Sequence, residues 1–316
     1  MAKGKRDPES DRVMKCKKVV IIILNWNRKF DAAECIESLK HIVYPNYEIT
    51  LVDNGSSDGS IEYIKKLYPY IKIIANNTNL GYAEGNNIGM RKALGSETDY
   101  LLLLNNDTIV DPIFLDELVK VAERNKKVGF IGPKVYYYEF NGRRDIINFV
   151  GGMLDKTRGI CTHIGINEKD LGQYDETKEV DYIEGSCLLI KKQVIEEIGF
   201  FDPNFFAYWE EVDLCIRGRR AGYDSIIAPK ARVWHKIASS NIKERNIYYL
   251  SRNRIWFMKK NSNIKEYISF VLYFLLREFF VQNLIYLYKG RLEWTAFNRG
   301  IIHGFFSNLP QKSRGK

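Results

Sequence analysis

Apolar runs that end in polar residues alternate with helical stripes along the first part of the chain. The clearest run covers residues 100–104 and is followed by Asn105, Asn106 and Asp107. A short apolar run of this kind fits a strand that is buried on both faces. The same pattern predicts strands at 19–24, 48–52, 71–74 and 128–131, with helical stripes between them at 33–39, 61–67, 82–94 and 112–125. This alternation predicts a parallel doubly wound α/β sheet.

The rhythm changes after Pro133. Residues 136–182 contain short β-like pieces with many Gly, Asp and Lys residues, as expected of an inserted hairpin or a mobile loop. A strand is predicted at 185–191 and a helix at 192–198, and helical spacing returns at 210–217. Two strand-like pieces follow at 225–228 and 231–235, and from Glu244 onward the chain has the pattern of helices.

Polar side chains lie where several predicted strands end. In an open α/β sheet, ligands bind beyond the carboxyl ends of the strands, which is where Asn105 and Asp107 are expected. An alternative is that Asp107 only caps the next helix. However, Asp111 and Pro112 already supply the start signal of that helix, so Asp107 is expected to serve another purpose.

Charge is unevenly distributed along the 316 residues. Residues 230–316 contain 17 Lys+Arg and 4 Asp+Glu, a balance of +13, which leaves −4 for the rest of the chain because the total is +9. A basic region of this kind indicates an anionic partner, either lipid headgroups or nucleic acid. Its basic residues are interleaved with long Phe, Leu and Tyr runs, which favours a membrane over a nucleic acid.

The segment at 267–288 is the most apolar part of this region. Arg277, Glu278, Gln282 and Asn283 interrupt it, so an interfacial amphipathic helix or a buried helix is favoured over a membrane span. At the other end of the chain, residues 1–18 are polar and carry no apolar core of a signal peptide, which predicts a flexible tail. Five cysteines without a CxxC pair indicate reduced thiols.

Seven short motifs occur in an order that resembles a known enzyme family. They are Asn25-Trp26-Asn27, residues 53–58 (DNGSSD), Asn79-Leu80-Gly81-Tyr82 with Asn86-Asn87, Asn105-Asn106-Asp107, Gly185-Ser186-Cys187, Trp209-Glu210-Glu211-Val212-Asp213 and Trp234-His235. The set resembles the inverting nucleotide-sugar glycosyltransferases of family 2, especially the rhamnosyl- and galactofuranosyltransferase-like members. The resemblance runs from about residue 19 to residue 261. It implies a GT-A fold, with a parallel or mixed sheet sandwiched by helices.

The resemblance implies a donor site at the strand ends. Asp53 would accept a hydrogen bond from N3–H of uracil or thymine, although the alternative is an Asx-type turn residue before Gly55. The other donor-binding positions implied by the family motifs are Asn25, Asn27, Gly81, Asn87 and Asn105.

The family match also implies a metal site. Asp107 and His235 are the predicted ligands of Mn²⁺ or Mg²⁺, which would share the donor diphosphate oxygens. Asn105 stands where the family usually has an acid, a departure from two-carboxylate binding. The alternative for His235 is a purely structural histidine.

The acidic segment at 209–213 corresponds to the family's acceptor side. Glu211 is predicted to be the catalytic base, at the edge of a helix face packed through Val212 and Cys215. Trp209, Glu210 and Asp213 are predicted to bind the acceptor. Alternatively, these acids only favour the helix dipole, and Asp213 pairs with Arg217 one turn along.

We therefore expect a metal-dependent inverting transferase of a UDP- or dTDP-sugar to a lipid-linked glycan, on the cytoplasmic face of the cell membrane and without nucleic acid. The predicted organisation is a tail at 1–18, a GT-A domain at 19–240 and a helical, basic, membrane-associating region at 241–316. One rival hypothesis is a nucleotidyltransferase, which would require a glycine- and basic-rich loop after the first strand. The other is a non-catalytic module that binds a sugar nucleotide or docks on a membrane.

Overall fold

A computed structural model describes residues 16–236 and 244–307. Its main element is a mixed ten-stranded sheet whose principal order is β10-β12-β6-β11-β4-β1-β2-β3. The strands are β1 (Val19–Asn25), β2 (Tyr47–Asp53), β3 (Lys72–Ala75), β4 (Tyr100–Asn105), β5 (Thr108–Val110), β6 (Val128–Tyr137), β7 (Ile147–Phe149), β10 (Lys178–Val180), β11 (Cys187–Lys191) and β12 (Asp224–His235). A separate hairpin is formed by β8 (Gly152–Asp155) and β9 (Ile160–His163).

Helices cover both faces of the sheet. They are α1 (Lys29–Leu39), α2 (Ser60–Leu67), α3 (Gly81–Leu94), α4 (Phe114–Ala122), α5 (Lys192–Ile198) and α6 (Glu210–Arg220), followed by α7 (Glu244–Asn261), α8 (Ile264–Tyr273), α9 (Phe279–Lys289) and α10 (Arg291–Phe306). The π-helical turn Phe274–Glu278 joins α8 to α9 without a break.

The strictly parallel sheet predicted from the alternating pattern is wrong. Strands β1, β2, β3 and β4 are parallel, but β11 lies antiparallel between β4 and β6. The irregular segment before β11 allows the chain to return in the opposite direction, since no helical crossover is needed for antiparallel neighbours. The broader expectation of a parallel or mixed sheet sandwiched by helices is confirmed.

Two strands are longer than predicted, and one was missed. Strand β6 continues through Pro133 to Tyr137, while the facing strand β12 has a register shift between Ala228 and Arg232. A bulge opposite a proline accommodates its missing N–H, so Pro133 does not end the strand. The missed strand β5 pairs antiparallel with the end of β12 and places Thr108 opposite His235.

The segment at 136–182 is an inserted, strand-containing region. Strand β7 pairs with β6, β10 pairs with β12, and the β8–β9 hairpin lies beside them. This agrees with the hairpin alternative for the segment.

The C-terminal helices share the main hydrophobic core with one face of the sheet. One buried cluster joins Ile22 and Leu103 of the sheet to Phe257 of α7 and Phe297 of α10. By contrast, the continuous helix Ile264–Lys289 buries only 11% of its most apolar 18-residue window. Its 26 residues and mean hydropathy of 1.5 are sufficient for a membrane span by length and composition, and the alternative of a buried helix is excluded.

Candidate active site

Four polar residues form a closed hydrogen-bond network at the ends of β1, β2 and β4. Asn25 Nδ2 donates to Asp53 Oδ2 over 3.0 Å, and Asn106 Nδ2 donates to Asn25 Oδ1 over 2.8 Å. The other Asp53 oxygen accepts from the backbone N–H of Ser56 at 2.9 Å. Asn25 and Asp53 have no exposed surface, so the network fixes the shape of this edge of the sheet.

Asp53 therefore shapes the turn before Ser56, a role close to the Asx-type turn that was the alternative to base recognition, with its bond to the residue three positions on. Its predicted contact with uracil or thymine stays a prediction. Asn27, with a positive φ of 54°, uses its side-chain oxygen to accept the backbone N–H of Ser57 at 2.7 Å. Both side chains shape the loop that follows β2.

Gly81 and Asn87 lie on α3. Gly81 has a φ of +83°, and a Cβ there would lie 2.5 Å from the carbonyl oxygen of Phe206. Asn87 forms two hydrogen bonds of 3.0 Å with the backbone N–H and carbonyl of Phe201. Asn87 is thus a buried clasp between α3 and the segment before α6, and its predicted donor contact stays untested.

Asp107 and His235 lie side by side because β5 pairs with β12. Asp107 Oδ1 is 3.0 Å from His235 Nε2. Within the described part of the chain, Asp107 Oδ1 has no polar partner besides His235, and His235 Nδ1 is buried without a hydrogen-bond partner. Burial would raise the pKa of Asp107, but the neighbouring His235 outweighs it and lowers that pKa.

This pair fits a cation that takes few protein ligands. The carboxylate and imidazole are suitable ligands, they lie 3.0 Å apart, and His235 Nδ1 is buried without a partner among the described residues. Residues 16–236 and 244–307 contain no group of three or more His, Cys, Asp or Glu side chains that could hold a metal ion. The remaining ligands would therefore have to come from a substrate or from water.

A cavity of about 820 Å³ opens next to this pair. Its polar wall combines residues from α6, β12 and the ends of β4 and β11, namely Asn105, Glu184, Ser186, Trp209, Glu210, Glu211 and His235. Five of these were predicted from sequence as site residues. Asn25, Asn27, Asp53, Gly81, Asn87, Asp107 and Asp213 are not part of the wall.

Glu210 and Glu211 begin α6 at this wall. Burial raises the pKa of Glu211 to about 7, and the nearby Glu184 carboxylate adds to the rise. Burial together with the charge of Glu211 raises the pKa of Glu210 well above its ordinary value. The pair thus retains a proton near neutral pH, and Glu211, with a pKa of about 7, is deprotonated in a large fraction of molecules there and can act as a base.

The two carboxyl groups share a hydrogen bond, and each has a buried oxygen without a partner outside the pair in the described chain. Glu210 Oε2 and Glu211 Oε2 are buried without a hydrogen-bond partner among the described residues. Such groups are rare in folded proteins, because an unpaired buried polar atom costs about 1–3 kcal/mol. A ligand hydroxyl in the cavity would satisfy them.

A strained loop holds the acidic pair in place. Phe206, Tyr208 and Trp209 have φ values of 66°, 72° and 77°, in the left-handed region that glycine favours. Three non-glycine residues in that region cost about 1–3 kcal/mol each and persist only where the surroundings fix them. The strain indicates that the orientation of the acidic pair matters.

Two residues of α7 fix that loop. Asn253 Nδ2 lies 2.8–2.9 Å from the carbonyl oxygens of Phe205, Ala207 and Tyr208. Arg252 donates to the carbonyl oxygens of Asn204 and Phe205 over 2.9 and 3.0 Å. Both side chains are buried, so this part of α7 is a brace for the active-site loop rather than a solvated basic face.

Asp213 points away from the cavity into a buried ion-pair network. Its carboxylate accepts from Arg217 at 2.9 Å, Asn261 at 2.8 Å and Lys260 at 3.0 Å. The side chain has no exposed surface. Pairing with Arg217, the alternative to acceptor binding, is what the structure shows, and Asp213 links α6 to α7.

The model of the family described as "Glycosyl transferase family 2" matches residues 20–199, which is 180 of the 316 residues. The chain belongs to glycosyltransferase family 2. The resemblance of the ordered motifs to this family is thereby confirmed, and the protein is a glycosyltransferase.

Two curated relatives illustrate how far the similarity extends. The chain is 28% identical over 208 residues to an N-acetylglucosaminyl-diphospho-decaprenol L-rhamnosyltransferase of Mycobacterium tuberculosis, covering 61% of this chain and 67% of the relative. It is 26% identical over 306 residues to the low-salt glycan biosynthesis hexosyltransferase Agl10 of Haloferax volcanii, covering 93% of each chain. The second match includes the C-terminal helices.

Solved structures show the same fold at low identity. The mannosyltransferase PcManGT from Pyrobaculum calidifontis, solved with GDP-Man and Mn²⁺, aligns with a TM-score of 0.59 at 11% identity, over 94% of this chain and 89% of that chain. GalNAc-T7, solved with UDP, GalNAc and Mn²⁺, aligns with a TM-score of 0.57 at 15% identity, over 85% and 58%. The expected GT-A fold is therefore confirmed.

Sequence reasoning missed one acidic residue of the transferase site. Glu184 lies just before β11, accepts a hydrogen bond from Ser186 over 2.5 Å and is 3.9 Å from His163 of the β8–β9 hairpin. It lies next to the motif Gly185-Ser186-Cys187, and that adjacency was the signal available in the sequence. Its contact with a hairpin 21 positions earlier was not readable from the chain.

Proposed function

We propose that this family 2 enzyme transfers a sugar from a UDP- or dTDP-linked donor to a hydroxyl of a lipid-linked glycan, with inversion and in a single displacement. The observation that carries the proposal is the pair Glu210 and Glu211 at the cavity wall. One carboxyl group has a pKa of about 7, and both have an oxygen without a partner in the described chain.

Glu211 is the proposed catalytic base. Its carboxylate takes the proton of the acceptor hydroxyl as that oxygen bonds to the anomeric carbon of the donor sugar. The bond from this carbon to the diphosphate breaks in the same step, and attack from the opposite side inverts the configuration. Glu210, protonated near neutral pH, would donate a hydrogen bond to the acceptor, and Trp209 would line its binding face.

The donor diphosphate would lie between Asn105 and the Asp107–His235 pair. Asp107 and His235 would hold a divalent cation, Mn²⁺ or Mg²⁺, and when bound it supplies positive charge to the leaving diphosphate. Support comes from the buried His235 Nδ1, which has no partner among the described residues, and from the Mn²⁺ with which two structural neighbours were solved. Asp53 and the loop after β2 are the proposed base-recognition region, on the strength of the family motifs.

We propose a peripheral position on the inner face of the cell membrane. Helix Ile264–Lys289 exposes a row of large apolar side chains, which are Ile268, Leu272, Leu276, Phe280, Leu284 and Leu287. The region at 230–316 carries a balance of +13, so an apolar face and basic charge occur together. This combination suits an anionic bilayer, since two weak signals give stable attachment.

Thermal stabilisation by nucleotides tests the donor site. Purified protein is heated with UDP, dTDP, GDP or ADP, each with and without Mn²⁺, and any ligand that binds only the folded state raises the Tm. We expect a Mn²⁺-dependent shift with UDP or dTDP that Asp107→Ala abolishes. Asp116→Ala, an exposed carboxylate on α4, is the matched control and should keep the shift.

Two results would contradict the proposal. If none of the four nucleotides raises the Tm of protein shown to be folded, the proposed donor site is wrong. A shift only with GDP or ADP removes the proposed donor class. In either case the UDP- or dTDP-sugar would no longer be the proposed donor.

A further inference from the structure

The cavity continues beyond its polar wall into an apolar part. This part, which we call the apolar arm, is lined by Leu250, Ile255, Phe274, Phe297 and Ile301. These side chains come from α7, helix Ile264–Lys289 and α10, and the polar wall comes from the α/β body. The C-terminal helices also add polar residues to the lining, which are Ser251, Arg254, Glu278, Gln282 and Tyr286. The cavity volume of about 820 Å³ is near the upper end of the range of about 300–1,000 Å³ for small-molecule sites.

Arg254 lies where the two parts meet. Its guanidinium donates to Glu278 over 2.6 and 2.8 Å and lies 5.4 Å from the centre of the Phe270 ring. Arg254 Nε is buried and has no hydrogen-bond partner within the described residues. Arg254 and Glu211 both line the cavity, so the guanidinium and the proposed base face the same space.

Helix Ile264–Lys289 separates the apolar arm from solvent. Its inner face contributes Phe270 and Phe274, which are 0% and 2% exposed. Its outer face exposes Leu276 and Phe280 to 74% and 68%. The helix thus presents a large apolar surface to the outside, which a water-soluble acceptor alone would not require. Towards the cavity it contributes Phe274 beside the polar residues Glu278, Gln282 and Tyr286.

We propose that the apolar arm binds the hydrocarbon part of the acceptor, which enters from the bilayer beside helix Ile264–Lys289 and places its anionic end near Arg254. The acceptor hydroxyl then lies at the Glu210–Glu211 wall. The inference rests on the proposed function for the presence of a lipid-linked acceptor. The inference adds the place where the lipid is held. It also predicts that the length of the acceptor's hydrocarbon chain contributes to affinity.

Binding of farnesyl diphosphate tests the arm directly. Titration calorimetry on the full chain, in buffer without detergent, compares farnesyl diphosphate with inorganic pyrophosphate, which carries the same charged group without the hydrocarbon. We expect farnesyl diphosphate to bind about tenfold or more tightly than pyrophosphate, because its chain leaves water for an apolar cavity. Equal affinities would overturn the proposal.

A matched pair of variants separates the arm from the outer apolar face. Leu250→Gln changes a cavity-lining residue that is 38% exposed, and Leu272→Gln changes an outer-face residue that is 53% exposed. We expect Leu250→Gln to lose most of the preference for farnesyl diphosphate and Leu272→Gln to keep it. The reverse result would mean that the probe only adsorbs to the outer face, and the proposal would fail.

Photocrosslinking shows where the hydrocarbon chain of the probe lies, without relying on a measured affinity. A farnesyl diphosphate analogue with a terminal benzophenone should label residues of the apolar arm on α7 or α10. Labelling confined to the outer face of helix Ile264–Lys289 would overturn the inference. Nucleotide-dependent thermal shifts report on the donor site alone, so loss of those shifts contradicts the proposed function whereas loss of the farnesyl preference contradicts only the arm.

Discussion

The two sides of the active site differ in how their polar groups are paired. At the ends of β1 and β2, Asn25 and Asp53 bond to each other and to the adjoining loop. At the cavity wall, Glu210 and Glu211 each have a buried oxygen without a partner among the described residues. The paired residues define shape, and the unpaired carboxylates mark where a ligand hydroxyl is needed. Motif residues of both kinds look alike in sequence.

The largest expected effect comes from removing the unpaired base. Glu211→Gln keeps the size of the side chain but cannot accept the acceptor proton, so kcat should fall about 10²–10⁴-fold. Release of UDP or dTDP in the presence of a membrane extract containing acceptor measures it, with nucleotide-induced thermal shifts as the test of donor binding. Glu196→Gln, an exposed carboxylate on α5 with a side chain 53% exposed, is the control. Normal turnover by Glu211→Gln would assign the base elsewhere.

The brace of the strained loop is the next most sensitive point. Asn253→Ala leaves the carbonyls of Phe205, Ala207 and Tyr208 without their donor, which should lower the free energy of unfolding by about 1–3 kcal/mol. Urea denaturation measures it. Because the loop carries Glu210 and Glu211, kcat should fall while the Kd for nucleotide stays near the wild-type value. Thr295→Ala, which removes one exposed hydrogen bond to Arg291 in α10, should change stability by less than about 0.5 kcal/mol.

A substitution of Asn87 shows whether this motif residue holds α3 against the segment before α6 or contacts the nucleotide donor. Asn87→Ala breaks two hydrogen bonds to Phe201, and the free energy of unfolding should fall by about 1–2 kcal/mol. The Kd for UDP or dTDP should change little. A large rise in that Kd without loss of stability would show that Asn87 contacts the nucleotide after all.

The smallest effect concerns pH. Glu211 must be deprotonated to act as a base, so kcat/KM should rise about tenfold per pH unit below its pKa and level off above about 7. Glu184 raises that pKa through its negative charge. Glu184→Gln should therefore move the midpoint of the rise down by a fraction of a unit. An unchanged midpoint would show that Glu184 does not influence the pKa of Glu211. An upward shift would contradict the prediction that the negative charge of Glu184 raises this pKa.

The positions of the first strands could be predicted because burial on both faces leaves an uninterrupted apolar run. Residues 19–24 and 100–104 are examples, and each is followed by the polar residues that shape the site. The acidic pair could be placed because its motif is local. The direction of β11 could not be predicted. Whether a strand runs parallel or antiparallel to its neighbours depends on the path of the connecting segment, and the sequence pattern does not show that path.

Long-range contacts account for what the sequence did not reveal. The strand β5 has only three residues, too few for a pattern, yet it brings Asp107 next to His235. The role of Asn253 was not predicted, because its partners lie 45–48 residues earlier in the chain. Asp213 was predicted to bind the acceptor, with pairing to Arg217 as the alternative. Its further contact with Lys260 on α7 could not be predicted, because 47 positions separate the two residues.

The core shared by the sheet and the C-terminal helices limits how this enzyme can be recombined with its relatives. A chimaera that replaces residues 244–306 alone would separate Asn253 from the loop it braces and Lys260 from Asp213. The exchangeable unit is larger and discontinuous. It pairs the segment from Asn204 to Arg220 with the C-terminal helices, so these two stretches of chain would have to be exchanged together.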